Sequence, residues 1–363
     1  MRDNAEQMDR RGRGNPWGRH IKSIPEGGYY LTLSCIMGSF FPGSESMIPR
    51  VYDLLGVRWG INSDAGSGWT CCTGIAYHGD VMPIEGTLLT VARLWSIAQA
   101  SGLPVITPVC VTSFGVHLEC RELYEKEPGL KEKINRLLMD ACGRTFEIPK
   151  HIIHVSDVFY RYRDALRDRH FHYTLTEKGT GRPLRVVDHV GCHYSKIFPQ
   201  QHAIGGAEDC RVLADPVRAW GGEEVDYPER RGCCGMGFRQ CMITPNRGAT
   251  IARTLKKIRS MAPCRPDLIV TNCPGCTTFL DKGQWAVHEV AGESHFIPVL
   301  NYVELAGLLL GWDPYETVGI QFHTVPVEPL LEKIGIPFDR SRSRLEGDRY
   351  NVGPPFAGPP TAG

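Results

Sequence analysis

Long hydrophobic runs are missing from this 363-residue chain. No apolar stretch approaches the roughly 18 residues that a spanning helix needs. "VELAGLLLGW" (303–312) is among the longest and is too short, so no direct membrane span is expected. An excess of one charge sign is missing as well. The formal net charge is +1, and nothing in it points to nucleic acid or to an anionic membrane surface. The opening segment, "MRDNAEQMDRRGRGNPWGRH", has paired arginines but no apolar h-region after them. A twin-arginine or secretory leader is therefore not expected, and the chain reads as cytoplasmic. No Gly-x-Gly-x-x-Gly follows a strand-like run, so no flavin or nicotinamide site of the chain's own is evident. What remains, 42% hydrophobic and 22% charged residues, is ordinary globular composition, long enough for two domains or one large one.

Cysteine, by contrast, is abundant: there are 14. In a reducing compartment structural disulfides are a poor explanation, which leaves metal binding or redox chemistry. Some of the cysteines are expected to be no more than small buried hydrophobes.

Between a polar, Arg- and Gly-rich arm (1–27) and a charged, Pro- and Gly-rich tail (339–363), strand-like and helix-like segments alternate. "YYLTLSC" (29–35), "LPVITPVC" (103–110), "LRVVDHVGC" (184–192) and "DLIVTNC" (267–273) are β-rich runs that each end at a cysteine. Residues 84–102, closed by Ser101-Gly102, and residues 247–262 have helical periodicity. This alternation predicts α/β architecture with largely parallel sheets. The chain also repeats itself. Cys35, the doublet Cys71-Cys72 and Cys110 in the first half match Cys192, the doublet Cys233-Cys234 and Cys273 in the second. From single cysteine to doublet the gap is 36 and 41 residues, and from doublet to strand-end cysteine it is 38 and 39. The expected organisation is two repeated α/β modules, 28–150 and 183–338, related by pseudo-twofold symmetry, each with a cysteine site at its strand ends. A connector (151–182) separates them, with an amphipathic helix over 151–166 carrying Ile152, Val155, Val158 and Phe159, then a turn-rich stretch, "TEKGTGRP".

In open α/β sheets ligands bind at the C-terminal strand edge. Gly235 and Gly237 in "GCCGMGF" suit close approach of backbone to a bulky inorganic body. The second module offers Cys192, Cys233, Cys234, Cys273 and Cys276. Adjacent cysteines chelate one tetrahedral zinc ion awkwardly but reach two irons of one cluster, so an iron–sulfur cluster fits better than zinc. A thioredoxin-type dithiol fits less well, because it leaves the doublet without a purpose.

"VGCHYS", "GCCGMGF", "LIVTNCPGCTTFLD" and the late segment "PVLNYVELAGLLLG…EPLLEK" resemble the B subunit of heterodisulfide reductase, a family whose repeats are called CCG domains. The likeness runs over most of residues 28–337. It implies that Cys192, Cys233, Cys234, Cys273 and Cys276 ligate a noncubane [4Fe-4S] cluster, and that Cys35, Cys71, Cys72 and Cys110 ligate a second cluster. It also implies that the two clusters flank the place where a disulfide is split or formed. The heterodisulfide reductase partners implied are a ferredoxin-type protein resembling the C subunit and a flavoprotein resembling the A subunit, with a small sulfur substrate. The first module departs from the family pattern. Ser113 stands where the fifth cysteine should be, and Thr73 follows the doublet in place of glycine. The preferred reading there is a cluster on four cysteines. The alternatives are a Ser113 alkoxide ligand, Cys120 folding back, or zinc or nothing in the cluster's place. A degenerate first set suits a paralogue in a sulfur-oxidising or other electron-transfer complex.

Cys120, Cys142, Cys210, Cys241 and Cys264 are expected to be free thiols. His193, next to Cys192, is the one histidine singled out, as a donor to a cluster sulfur or a substrate thiolate. His117, His154, His189 and His323 read as structural at least as well as functional. Two other functions compete with disulfide chemistry: a non-catalytic electron relay in a dehydrogenase complex, and a zinc-stabilised scaffold.

Overall fold

The computed structural model describes residues 24–61, 71–196, 203–237 and 247–342. Most of the expected terminal arm and tail, together with Cys241, lies outside the described residues. Strands β1 (Tyr29–Thr32), β2 (Trp59–Gly60), β3 (Val105–Pro108) and β4 (His151–Ile152) form one sheet in the order β2-β1-β3-β4. Strands β5 (Arg185–His189), β6 (Glu223–Glu224), β7 (Leu268–Thr271) and β8 (Val299–Asn301) form another in the order β6-β5-β7-β8. Every pairing is parallel. The second order is the first with each strand number raised by four, so the α/β topology occurs twice, as the cysteine repeat predicts.

Parallel pairing requires cover on both faces, and the sequence supplies it. All residues of β1, β3 and β7 are buried. The cover in the first half comes from α1 (Cys35–Phe40), α2 (Pro42–Leu54), α3 (Gly74–His78), α4 (Ile84–Ala100), α5 (Val111–Lys126) and α6 (Leu130–Cys142). Helix α7 (Val155–Arg169) leads to the second half. There α8 (Cys192–Ser195), α9 (Ala214–Ala219), α10 (Arg247–Met261), α11 (Pro274–Ala291), α12 (Tyr302–Leu309) and α13 (Glu328–Ile334) follow. On α4, Leu88, Val91, Ala92, Trp95 and Ala98 form the buried stripe, and the helix ends at Ser101 with Gly102 left-handed at φ +68°. No helix among the described residues is long and apolar enough to cross a membrane.

One expected element starts elsewhere. The helix read over 151–166 begins only at Val155, because His151 and Ile152 pair with Val105 and Ile106 as β4. His154 is the reason for the stop. Its ring Nδ1 accepts from Ser156 N at 3.1 Å, while Asp157 Oδ2 accepts from His154 N at 3.0 Å, a capping box. The expected connector thus contributes an edge strand to the first sheet. Beyond α7, the turn at 176–183 is closed by the Thr176–Pro183 bridge.

The halves do not stand apart. Buried side chains from both form one continuous hydrophobic core. A buried polar cluster ties the C-terminal elements to α2: Ser44 Oγ donates to Glu304 Oε1 at 2.6 Å, and His323 Nε2 lies 3.3 Å from the same oxygen. Asp281 faces the other side of His323 and accepts from Thr324 N and Val325 N at 2.7 and 2.9 Å. Burial alone would lower the His323 pKa. The charge and hydrogen bond of Glu304, with Asp281 and Glu328, outweigh it and hold the ring above the ordinary imidazole value. A folded-state pKa above the unfolded one gives stability that is complete below the unfolded value and lost as pH rises through the folded one. The melting temperature is therefore expected to fall as pH is raised from about 6 to about 9. Glu304→Gln keeps a cap for α12 but removes the charge, and should destabilise by about 3 kcal/mol while flattening that slope. An unchanged slope in the variant would refute the pairing.

Candidate metal centre

The cysteines take matching structural positions in the two halves. Cys35 and Cys192 are the first residues of the short helices α1 and α8. Cys110 and Cys273 are the N-caps of the long helices α5 and α11. The third helical positions are Ser113 and Cys276, so the serine occupies the place of the fifth cysteine. A helix N-terminus favours the thiolate over the thiol, which is the form that ligates metal.

In the first half, Cys35, Cys71, Cys72, Cys110, Thr112 and Ser113 line one cavity. Cys71 Sγ lies 3.9 Å from Cys35 Sγ. The backbone N–H groups of Thr73 and Gly74 point at Cys71 and Cys72, at 3.3 and 3.4 Å. Hydrogen bonding with Cys35, then with Cys72, pulls the Cys71 pKa down to about 2. Ser113 lies beside Cys72 in that cavity and lowers its pKa against the larger upward effects of Cys71 and burial. Thr73, where the family has glycine, is left-handed at φ +60°, a conformation costing a non-glycine residue about 1–2 kcal/mol. Its hydroxyl reaches Cys72 O at 2.6 Å and Thr87 Oγ1 at 2.8 Å, bonds that hold the backbone in that turn.

In the second half the five cysteines come together. Cys234 hydrogen-bonds Cys233 and Cys276, and Cys276 also meets Cys273. Cys192 lies within electrostatic reach of Cys233, Cys234 and Cys273. Donation from these neighbours holds Cys234 and Cys273 well below the ordinary thiol pKa. Gly235 N points at Cys233 Sγ at 3.4 Å. The glycine itself is required by a different neighbour than expected. At φ +109°, a Cβ there would sit 2.2 Å from Thr254 Oγ1 and 2.8 Å from Thr250 O, so the close approach is to helix α10. Thr254 Oγ1 also donates to Cys234 O at 2.9 Å, which seats the doublet on that helix.

The two cysteine sets adjoin. Cys110 and Cys273 are direct neighbours, each shifting the other's thiol, so the caps of α5 and α11 meet. A Cβ on Gly191 would lie 2.8 Å from Val111 Cγ1 and 3.0 Å from Cys273 Cβ. Asn272, fully buried, accepts from Gly191 N at 2.9 Å and so fixes the loop that carries Cys192. His193 packs against His78 of the first half, with ring centroids 4.6 Å apart and planes tilted by 35°. Burial, then the neighbouring His78, lowers the His193 pKa to about 4, so the ring is neutral near pH 7.

Three residues at this centre escaped the sequence reading, His78, Lys257 and Asn272, and a fourth, His189, was read there as structural at least as well as functional. A ring nitrogen of His189 and the sulfurs of Cys234 and Cys276 lie within 4.8 Å of one another. Lys257 is 1% exposed, and its Nζ donates to Glu229 O, Arg230 O and Gly232 O at 2.7, 3.2 and 2.8 Å. Burial lowers its pKa to about 8 against the opposing pull of the Cys234, Cys276 and Cys233 sulfurs. The periodicity of 247–262 held a signal for it, since Thr250, Thr254, Lys257, Ile258 and Met261 share the buried face.

The Cys273/Cys276 pair does open a helix, as a thioredoxin dithiol would, so that placement does not discriminate; the surrounding cysteines do. Cys120 does not fold back toward the first set. It is buried on α5, ten residues and therefore about 15 Å of helix beyond Cys110. Cys210 is buried, Cys142 is exposed, and Cys264 Sγ donates to Asp226 O at 3.4 Å. Soft thiolate donors grouped in buried sites, with backbone N–H groups aimed at sulfur, are the donor set that iron–sulfur clusters or zinc take.

Comparison with known proteins agrees with this donor set. The family described as "CCG: Cysteine-rich domain" matches residues 186–281. The chain is 29% identical over 317 residues to the B subunit of the ferredoxin:CoB-CoM heterodisulfide reductase of Methanosarcina acetivorans, covering 87% of this chain and 99% of that one. It is 24% identical over 302 residues to the 8-methylmenaquinol:fumarate reductase membrane anchor subunit of Wolinella succinogenes, covering 80% and 98%. A crystal structure of a hypothetical protein from Helicobacter pylori shares the fold, with a TM-score of 0.57 at 11% identity. That match covers 85% of this chain and 53% of the other, so this chain spans about half of it. Along nearly the full length of a known heterodisulfide reductase B subunit, with the cysteine-rich domain in the second half, the chain is similar to that subunit.

Proposed function

We propose that this chain is the sulfur-chemistry subunit of a heterodisulfide reductase-like complex, holding a noncubane-type [4Fe-4S] cluster on Cys192, Cys233, Cys234, Cys273 and Cys276. The observation that carries the reading is the grouping of these five cysteines, three buried and two partly buried, at one strand-edge site that adjoins the first set through Cys273. The first set would hold a second cluster on Cys35, Cys71, Cys72 and Cys110. Ser113, beside Cys72 in the same cavity, is the residue that would complete a fifth position. When bound, such a cluster supplies one-electron steps and an iron to which a substrate thiolate can bind, which divides two-electron disulfide chemistry into two parts. The chain's own residues do the rest. Lys257 places a buried cation beside the thiolates, and the N–H groups of Thr73, Gly74 and Gly235 orient the doublets. His193, neutral and packed on His78 between the two sets, is the proposed N–H donor to a substrate sulfur. Its place beside Cys192 restricts it to that vicinity.

Splitting a disulfide into two thiols takes two electrons and two protons. With no nicotinamide or flavin motif of its own, the chain would receive the electrons from partners, one of ferredoxin type and one a flavoprotein. A relay reading also has a relative behind it, the membrane anchor subunit of a fumarate reductase. The two readings part on whether an added thiol changes the cluster spectrum.

Anaerobically purified protein should contain roughly eight irons per chain, four for each cluster. Iron near four with one zinc would make the first set structural, and iron near zero would remove the cluster reading. Cys234→Ser should abolish turnover and any thiol-induced paramagnetic signal. Full activity in Cys234→Ser alongside loss in Cys72→Ser would reverse the roles of the two sets. Ser113→Cys should change the spectrum of the first cluster and leave the second unaltered; change in neither would remove Ser113 from the site.

A further inference from the structure

We propose that His189 is a positioning residue for the second metal centre, its ring N–H donating to the sulfur of Cys234 and so tuning the group that the five cysteines hold. The inference rests on the cluster assignment above but concerns a residue outside that ligand set.

His189 is the last residue of β5 and is 2% exposed. Neither of its ring nitrogens has a hydrogen-bond partner within normal reach among the described residues. A polar group buried in that condition is costly to leave unsatisfied, so the sulfurs it faces matter. One ring nitrogen, Cys234 Sγ and Cys276 Sγ lie within 4.8 Å of one another, and all three residues are buried. A neutral imidazole has one N–H to donate. Of the two sulfurs, that of Cys234 is the one in direct side-chain interaction with the ring.

The position is distinctive in both halves. His189 pairs with Thr271 across β5 and β7, and Thr32 pairs with Pro108 across β1 and β3. Each stands at the end of its strand, three residues before the first cysteine of its set. Thr32 is 4% exposed, and its Oγ1 is likewise without a hydrogen-bond partner among the described residues. A buried polar group without a protein partner therefore recurs where the fold repeats. In the first half the group is a hydroxyl and in the second an imidazole, which gives the two centres different surroundings.

An N–H···S bond withdraws charge from a ligand sulfur and raises the reduction potential of the attached cluster. The test compares full-length wild type, His189→Leu and His189→Gln, purified anaerobically. His189→Gln retains an N–H donor. Iron and sulfide content should be equal in all three. The potential of the second cluster, read by a redox titration followed by paramagnetic resonance, should move negative in His189→Leu and return most of the way in His189→Gln. The first cluster should not move. Pulsed resonance on the reduced wild type, which needs no variant to fold, should show a weakly coupled nitrogen that His189→Leu lacks. Equal iron with an unmoved potential overturns this inference alone, and so does a strongly coupled, directly bonded nitrogen. Wild-type protein without iron overturns the cluster assignment and this inference together.

Discussion

Parallel pairing puts the C-terminal ends of β1 and β3 on one edge of the first sheet, and those of β5 and β7 on one edge of the second. Each of these strands runs out two or three residues before a cysteine. A parallel sheet needs a crossover after each strand, so each cysteine also falls at or near the start of a helix, where N–H groups are unsatisfied and favour an anion. Strand direction and helix start therefore coincide at Cys35, Cys110, Cys192 and Cys273, and of these four Cys273 is the one held toward the thiolate. Had any pair been antiparallel, its two cysteines would lie at opposite ends of the sheet, and no choice of side chains would bring them back together.

Much of this was legible in the sequence because it is carried by spacing. The four cysteine-ended runs became β1, β3, β5 and β7, and the two periodic segments became α4 and α10. The cysteine intervals signalled the repeated topology because equal crossovers return the chain to equal positions. The start of α7 was misplaced because apolar periodicity runs through Ile152, while the residues that set the boundary are His154 and Asp157, a polar cap that periodicity does not register. Thr73 following the doublet was visible as a departure, but the turn it adopts and the hydroxyl bonds that sustain it are three-dimensional facts.

Contacts between the halves were not legible at all. Cys110 meeting Cys273, His78 facing His193, and Glu304 reaching Ser44 join residues far apart in sequence, and no local pattern encodes such pairs. Gly235 shows how a correct residue can carry an incomplete reason. The sequence suggests room for an inorganic body, whereas the nearest obstruction to a side chain is helix α10. Lys257 was hidden for a related reason, and His189 was seen without its neighbours. Each is polar at a position whose pattern marks it as core, and only the arrangement of neighbouring sulfurs explains such a residue there.

The shared wall at Cys110 and Cys273, together with the continuous core, bears on how the chain can change over generations. Val111 packs against the loop that carries Cys192, and Ser44 helps hold Glu304, so the first half is part of the enclosure of the second site. A serine at position 113, where the second half has Cys276, leaves that enclosure standing, because it fills the same helical position. Loss of the whole first half would open the second site to water and strip the apolar cover from its neighbours. Selection can therefore relax on the chemistry of the first module long before it can relax on its shape, and a duplicated unit can fade as a cofactor carrier while it is retained as masonry.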